Sequence, residues 1–265
     1  FWTAKAEFKI KWKGESWVKV IAVIPARFGS TRFPGKPLIK ILDKPMIQRV
    51  YERAKEAKEL DEVIVATDHQ EIFNVVSSFG GKVLMTKTSH ESGSDRMAEV
   101  AEKVEGDIFL NIQGDEPLIE PNLIDEIVRE SKKYPNSVIT AKKQIDNRED
   151  VSNPNVVKVV TDKDNNALYF SRSPIPYNRS GKEIVYYKHI GIYCYPKEIL
   201  QKYVQLPKSN YEMCEMLEQL RLLENGFNIK VIETNYDSIG VDTIEDIKKV
   251  EKILEVMYKW LILLN

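Results

Sequence analysis

The chain has 265 residues, 43% of them hydrophobic, and its 39 Lys and Arg nearly balance 40 Asp and Glu for a formal net charge of −1. That length can bury a substantial core as one large α/β domain or two small ones, and the charge balance excludes a global basic field for nucleic acid. Two cysteines, Cys194 and Cys214, are too few for a disulfide framework or a zinc site, and no apolar run reaches membrane-spanning length; a soluble protein of the reducing cytoplasm is expected, off the membrane and off nucleic acid.

Residues 1–19 differ from the rest of the chain. Phe8, Ile10 and Trp12 alternate with Lys9, Lys11 and Lys13 at the two-residue period of a half-exposed strand, and lysines break each apolar run, which does not fit a signal peptide. This segment is read as an extension outside a single domain that runs over 20–265.

The domain opens on VIAVIPARFGSTRFPGKPL, Val20 to Leu38. Val20 to Ile24 is a short β-branched run expected to form a buried strand, and Pro25 stops it. Beyond it, Gly29 and Gly35 permit tight turns, Ser30 and Thr31 supply hydroxyls, and Arg27, Arg32 and Lys36 supply cations. The spacing of the glycines and Pro37 after the lysine exclude G-x-x-x-x-G-K-[ST], and G-x-G-x-x-G is missing too, which disfavours a dinucleotide dehydrogenase. Cations gathered beyond the carboxyl end of a first strand suit a nucleoside triphosphate; a solvated basic loop is the alternative.

Helical spacing of Ile47, Val50, Tyr51, Ala54 and Ala57 predicts a helix over 45–58 with Pro45 in its first turn. Strands are predicted over 62–66, 82–85 and 107–112. Helices are predicted over 71–79, closed by Gly80-Gly81, and through Met97, Val100 and Ala101 with Ser94 as its cap. This alternation implies a doubly wound, mostly parallel α/β sheet with ligands at its carboxyl edge. Further on, strands are predicted over 167–170, along HIGIYCY from His189, and over 229–233. One helix is expected through Leu217, Leu220 and Leu223, carrying Glu212, Glu215 and Glu218, two of them on a solvated face. A last helix runs through Ile247, Val250, Ile253, Leu254 and Met257.

FLNIQGDEP places Gln113 and Asp115 where an apolar strand runs out, beside Glu116, with Gly114 allowing close backbone approach. A carboxylate there, joined by phosphate oxygens, suits magnesium; an ordinary capped turn also fits. Asp242 and Thr243 precede the last helix, and either serves as its cap. If the chain returns Asp242 to the same edge, Asp115 and Asp242 share magnesium on a triphosphate. On HIGIYCY, His189, Gly191, Tyr193 and Tyr195 share a polar-aromatic face opposite Ile190, Ile192 and Cys194.

IPARFGSTRFPGKPL, ATD, SGSDR, NIQGDEP, ALYFSRSPIP, KHIGIYCYP, EMLEQLR and GVDTIED, in this order, resemble the motifs of the 3-deoxy-manno-octulosonate (KDO) cytidylyltransferases, or CMP-KDO synthetases, from Val20 to about Glu251. Phe28, Phe33 and Ile244 stand where relatives often carry Tyr, Leu and Pro, and each keeps an apolar group. The resemblance implies a Rossmann-like nucleotidyltransferase with a smaller sugar-binding and dimerisation subdomain, here placed at about 143–210, and transfer of CMP from CTP to the anomeric hydroxyl of KDO. Arg27, Ser30, Arg32 and Lys36 fall on the triphosphate loop, with Lys36, Arg32 and Asp115 as the catalytic candidates. Asp68, Ser92, Gly93 and Arg96 line the nucleotide pocket, Asp115 and Asp242 match the magnesium ligands, and Gln113, His189, Tyr193, Glu218 and Gln219 match sugar contacts. Arg172, on the proline-framed SRSPIP loop, is the candidate partner of the sugar carboxylate, since its planar fork suits one bidentately; a surface ion pair is the alternative.

Amino-KDO or sialic acid as the sugar, and a silent CTP-binding regulator, are the rival readings. The strand from Val185 to Tyr195 is expected to be exposed and therefore covered, in a homodimer with Ile190, Ile192 or neighbouring residues of the subdomain near the interface or by the chain's own C-terminal helix.

Overall fold

The structure, a computed structural model, describes residues 18–29 and 34–264. The expected extension over 1–19, apart from its last two residues, lies outside the described residues, as do Ser30 and Arg32.

In chain order the elements begin with β1 (Val20–Ala26), a 3-10 turn (Lys36–Leu38), β2 (Lys40–Ile41), β3 (Lys44–Pro45), α1 (Met46–Lys55), β4 (Glu62–Thr67), α2 (Gln70–Ser78), β5 (Val83–Met85) and α3 (Gly93–Lys103). There follow β6 (Ile108–Asn111), α4 (Pro121–Lys133), β7 (Ser137–Gln144), α5 (Arg148–Ser152), β8 (Lys158–Thr161), β9 (Ala167–Ser171) and β10 (Tyr187–Pro196). The last are α6 (Lys197–Tyr203), α7 (Asn210–Glu215), α8 (Gln219–Glu224), β11 (Asn228–Glu233) and α9 (Ile244–Leu264).

The chain divides into two compact units. One contains Ile21–Val104, Asn111–Asp125 and the segment from Asp237 onward. Here β4 pairs in parallel with β1 on one side and β5 on the other, with Ile21 opposite Glu62 and Val65 opposite Val83. Parallel neighbours need crossovers, and α2 supplies one of them. Pro45 is not inside the helix as expected: it is the N-cap of α1 and the last residue of a small hairpin, whose turn puts Leu42 at φ 55°. Ile41, Met46, Val241, Val250 and Leu254 bury together, so the start of α9 is anchored on this hairpin. Each fully buried aliphatic side chain there contributes roughly 1.5–3 kcal/mol.

The other unit contains Glu105–Leu110 and Glu126–Tyr236, with the described residues up to Val20. Its strand order is β11-β7-β10-β6, with β8 paired to β10 and β9 to β8. β11 runs parallel to β7, whereas β10 is antiparallel to β7 and β8 antiparallel to β9, so the sheet is mixed rather than uniformly parallel.

Three expectations need correction in this unit. β10 is not an exposed strand: Ile190, Ile192, Cys194 and Tyr195 are all buried within the single chain, both edges of β10 are paired, and a register irregularity between Ile190 and Cys194 breaks the simple alternation. Ile190 and Ile192 are therefore already covered by the chain itself. The helix expected through Leu217, Leu220 and Leu223 is two helices, α7 and α8, parted at Met216, which adopts the left-handed conformation with φ 53°. Glu212 and Glu215 are also not solvated: Glu212 is buried against the Arg221 guanidinium, and Glu215 is half-buried against Ser171 and Arg172.

Candidate active site

In the first unit, the carboxyl ends of the strands gather charge. Lys36 follows Gly35, whose φ of 70° lets the chain turn, and Gly35 N–H closes the basic loop by donating to Phe28 O at 3.1 Å. The Phe28 ring in turn stacks on His69, with centroids 4.0 Å apart and planes at 16°. From this base Lys36 Nζ donates to Asp115 Oδ2 at 2.6 Å and to Asp242 Oδ1 at 2.9 Å. Burial pulls the Lys36 pKa down, but Asp115 and then Asp242 outweigh it and raise it above the ordinary value, so the ammonium stays charged.

The two readings of Asp242 and Thr243 resolve into a division of roles. Thr243 caps α9, its Oγ1 accepting from Asp246 N at 3.2 Å while Asp246 Oδ2 accepts from Thr243 N at 3.0 Å. That leaves the Asp242 carboxylate for Lys36. Val241, buried in the hairpin cluster, donates its N–H to Asp115 O at 2.9 Å, which ties the Asp242 loop to the Asp115 loop.

Gly114 explains how closely that loop lies. A Cβ there would stand 2.8 Å from Pro25 O, a backbone atom that cannot move aside cheaply. Gly114→Ala is therefore expected to displace Asp115, costing about 1–3 kcal/mol of stability and at least about tenfold in turnover; parental rate and melting temperature together would refute this.

Of the other residues expected at the site, Arg27, for the nucleotide, is exposed just past β1, and Gln113, for the sugar, is exposed just past β6. Ser92, not Ser94, caps α3: Ser92 Oγ accepts from Asp95 N at 3.1 Å and Asp95 Oδ2 accepts from Ser92 N at 3.0 Å, a reciprocal box that S-x-x-D already signalled, while Ser94 is buried in the first turn. Gly93 lies flush against Pro25 and Asn111, a Cβ there meeting them at 3.4 and 3.6 Å. Arg96 is buried, donating to Asp68 Oδ2 at 2.7 Å and to the Thr86 hydroxyl, so Asp68 and Arg96 bind each other in this structure. Sequence reasoning passed over two buried polar groups nearby. Asn111 Oδ1 is enclosed with no partner among the described residues. Glu99 meets His90, Lys87 N and Lys103; burial pushes its carboxyl up, yet Lys103, the Lys87 amide and His90 hold it down to about 2.

The second unit holds the other residues expected at the sugar. Arg172, at the end of β9, donates from Nε to Glu215 O at 2.7 Å and from Nη1 to Pro154 O at 3.0 Å. Phe170, His189, Tyr193, Tyr195 and Tyr203 form a ladder of rings with centroids 5.1 to 6.0 Å apart. Tyr193 OH is buried without a partner among the described residues, and burial raises its pKa well above the ordinary phenol value. Tyr203 OH donates to Glu218 O at 3.1 Å, and Gln219 is buried at the start of α8.

His189 Nε2 lies 2.9 Å from Thr140 Oγ1, and enclosure of the ring pushes its pKa down to about 3. The unfolded chain, with an ordinary histidine, takes up this proton first, so stability should fall as pH drops from about 6.5 towards 3, by roughly 1–2 kcal/mol at pH 5. Urea melts at pH 7 and pH 5 should show this loss in the parent and a smaller one in His189→Asn. An identical pH dependence in both would exclude His189 as its source.

A mixed, mostly parallel α/β sheet with flanking helices and charged loops past its strand ends defines a Rossmann-like nucleotidyltransferase fold. The chain belongs to the cytidylyltransferase family, whose description matches residues 21–237. It is 52% identical over 248 residues to the 3-deoxy-manno-octulosonate cytidylyltransferase of Thermodesulfovibrio yellowstonii, covering 88% of this chain and 97% of that one. The enzyme of the same description from Geotalea uraniireducens is 49% identical over 254 residues, covering 91% and 100%. Among solved structures, CMP:2-keto-3-deoxy-manno-octonic acid synthetase complexed with CTP aligns with a TM-score of 0.87 at 46% identity, covering 90% of this chain and 99% of that one.

Proposed function

We propose that the chain transfers CMP from CTP to the anomeric hydroxyl of KDO, giving CMP-KDO and pyrophosphate, the step that activates the sugar for lipopolysaccharide synthesis. The observation that carries this reading is Lys36 held between Asp115 and Asp242 at a strand-end loop, in a chain that matches KDO cytidylyltransferases along nearly its whole length. The sugar hydroxyl attacks the α-phosphorus, a new P–O bond forms, and the bond to the β-phosphate oxygen breaks. Lys36, with Arg27 and Arg32 of the same loop, offsets the charge that grows on the leaving pyrophosphate.

Asp115 and Asp242 fit a magnesium ion. Their anionic oxygens already converge on one positive centre, and because the described residues contain no cluster of three or more His, Cys, Asp or Glu, the remaining ligands would be phosphate and water oxygens, as this hard cation prefers. When bound, magnesium neutralises the triphosphate and acidifies the sugar hydroxyl. Arg172 receives the sugar carboxylate, and the Tyr193 hydroxyl, which has no partner among the described residues and lies beside His189, suits a sugar hydroxyl.

Pyrophosphate release with CTP plus KDO, against each omitted in turn, tests the reaction. Release with sialic acid or amino-KDO but not KDO would change the sugar, and no release at all would leave a CTP-binding regulator. No helix among the described residues is long and apolar enough to cross a membrane. We also place the chain in a homodimer, as the family resemblance implies; the exposed Leu168, Tyr177 and Tyr211 offer apolar surface for it, now that Ile190 and Ile192 do not. Sedimentation at low micromolar concentration that returns an active monomer would overturn this.

A further inference from the structure

Lys158 is fully enclosed, with 0% of its surface exposed. A buried ammonium is costly unless every proton has an acceptor, and here Nζ donates to Asn153 O at 2.9 Å, Val156 O at 2.6 Å and Arg172 O at 2.6 Å. On the other side of the same residue, Glu215 Oε2 accepts from Arg172 N at 2.9 Å, while Oε1 accepts from the Ser171 hydroxyl at 2.6 Å. Both polar atoms of the Arg172 main chain are therefore bound to charged side chains. Its guanidinium is tied as well, from Nε to Glu215 O at 2.7 Å, from Nη1 to Pro154 O at 3.0 Å and from Nη2 to Met216 O at 3.4 Å. The last of these carbonyls belongs to the left-handed residue that parts α7 from α8. A guanidinium has five N–H groups, so among the described residues these bonds leave one N–H on each terminal nitrogen, the number a fork on a carboxylate needs.

We propose that Lys158 and Glu215 are positioning residues for the acid sugar: they clamp Arg172 from both sides so that its two remaining N–H groups stand as a pre-set fork for the sugar carboxylate. This rests on the reading that Arg172 meets that carboxylate. A fork already held in place loses little freedom on binding, so the clamp contributes to sugar affinity without touching the sugar.

The test is steady-state pyrophosphate release, varying KDO at saturating CTP and then the reverse, for Glu215→Ala, Arg172→Ala and the double variant. Glu215→Ala should raise the KM for KDO about tenfold and leave the KM for CTP within about twofold. In the Arg172→Ala background the same change should add nothing further, since the residue it positions is gone. Lys158→Met should show the same split between the two substrates. Glu215→Gln, whose amide oxygen can still accept from Arg172 N, should recover most of the loss. Should a variant fail to fold, Ser171→Ala removes a single hydroxyl from the clamp and should move the KDO KM about threefold in the same direction. An unchanged KDO KM, equal losses for both substrates, or additivity with Arg172→Ala would overturn the positioning role while leaving Arg172 at the sugar. An Arg172→Ala variant with a parental KDO KM would instead refute the reading beneath it.

Discussion

Asp115→Asn should fold like the parent and lose about a thousandfold or more in turnover. The two side chains have the same shape, the backbone bond from Val241 N to Asp115 O is untouched, and the side chain is 34% exposed, so little packing is lost. What disappears is an anionic oxygen. The amide is a poorer ligand for a hard cation and no longer answers the Lys36 ammonium, and several kcal/mol of transition-state charge stabilisation should go with it. Pyrophosphate release across a magnesium titration, beside thermal melts, checks both halves of the statement. A near-parental rate at saturating magnesium would remove Asp115 from the metal site, and a collapsed melting temperature would mean that the loss is structural.

Lys36→Met should cost about a hundred- to a thousandfold in kcat/KM for CTP and leave stability close to the parent's. The ammonium is the bridge between Asp115 and Asp242, so a neutral side chain leaves two carboxylates facing each other across a nucleotide carrying more negative charge. That repulsion is weak before CTP arrives, because the carboxylates are 34% and 61% exposed and water screens them. It becomes severe once the triphosphate enters and charge moves on to the pyrophosphate. Measured kcat and KM for CTP, with a melting curve, separate the two regimes. A variant with parental kcat/KM would show that the arginines of the loop suffice.

These two residues also mark where the sequence could be read directly and where it could not. Lys36 stood out because it follows a β-branched run, a proline and two glycines, and Asp115 because an apolar strand ends on it; both signals are local, a strand and the loop at its end. The parallel β1-β4-β5 arrangement was legible for the same reason, since short continuous apolar runs alternate with segments of 3.6-residue period, the pattern of strands buried between helices. Thr243 against Asp242 was not legible. Both residue types cap helices, and only the tertiary structure, which packs Val241 into a cluster with Ile41 and Met46, turns one towards Asp246 and the other towards Lys36, 206 residues away.

The second unit was harder to read, and its misreadings share a physical cause. Helical spacing through Leu217, Leu220 and Leu223 ignores Met216, whose left-handed turn accompanies a hydrogen bond from Arg172, a residue far away in sequence. Burial of β10 depends on what packs over its faces once its edges are paired, and a buried lysine such as Lys158 looks like any surface lysine until its carbonyl acceptors are assembled. By itself the sequence determined the strands and helices with a clear period, the charged strand-end loops and the family they resemble. The tertiary structure alone decided which charges meet, because pairing of distant side chains depends on how elements pack and leaves no period in the chain.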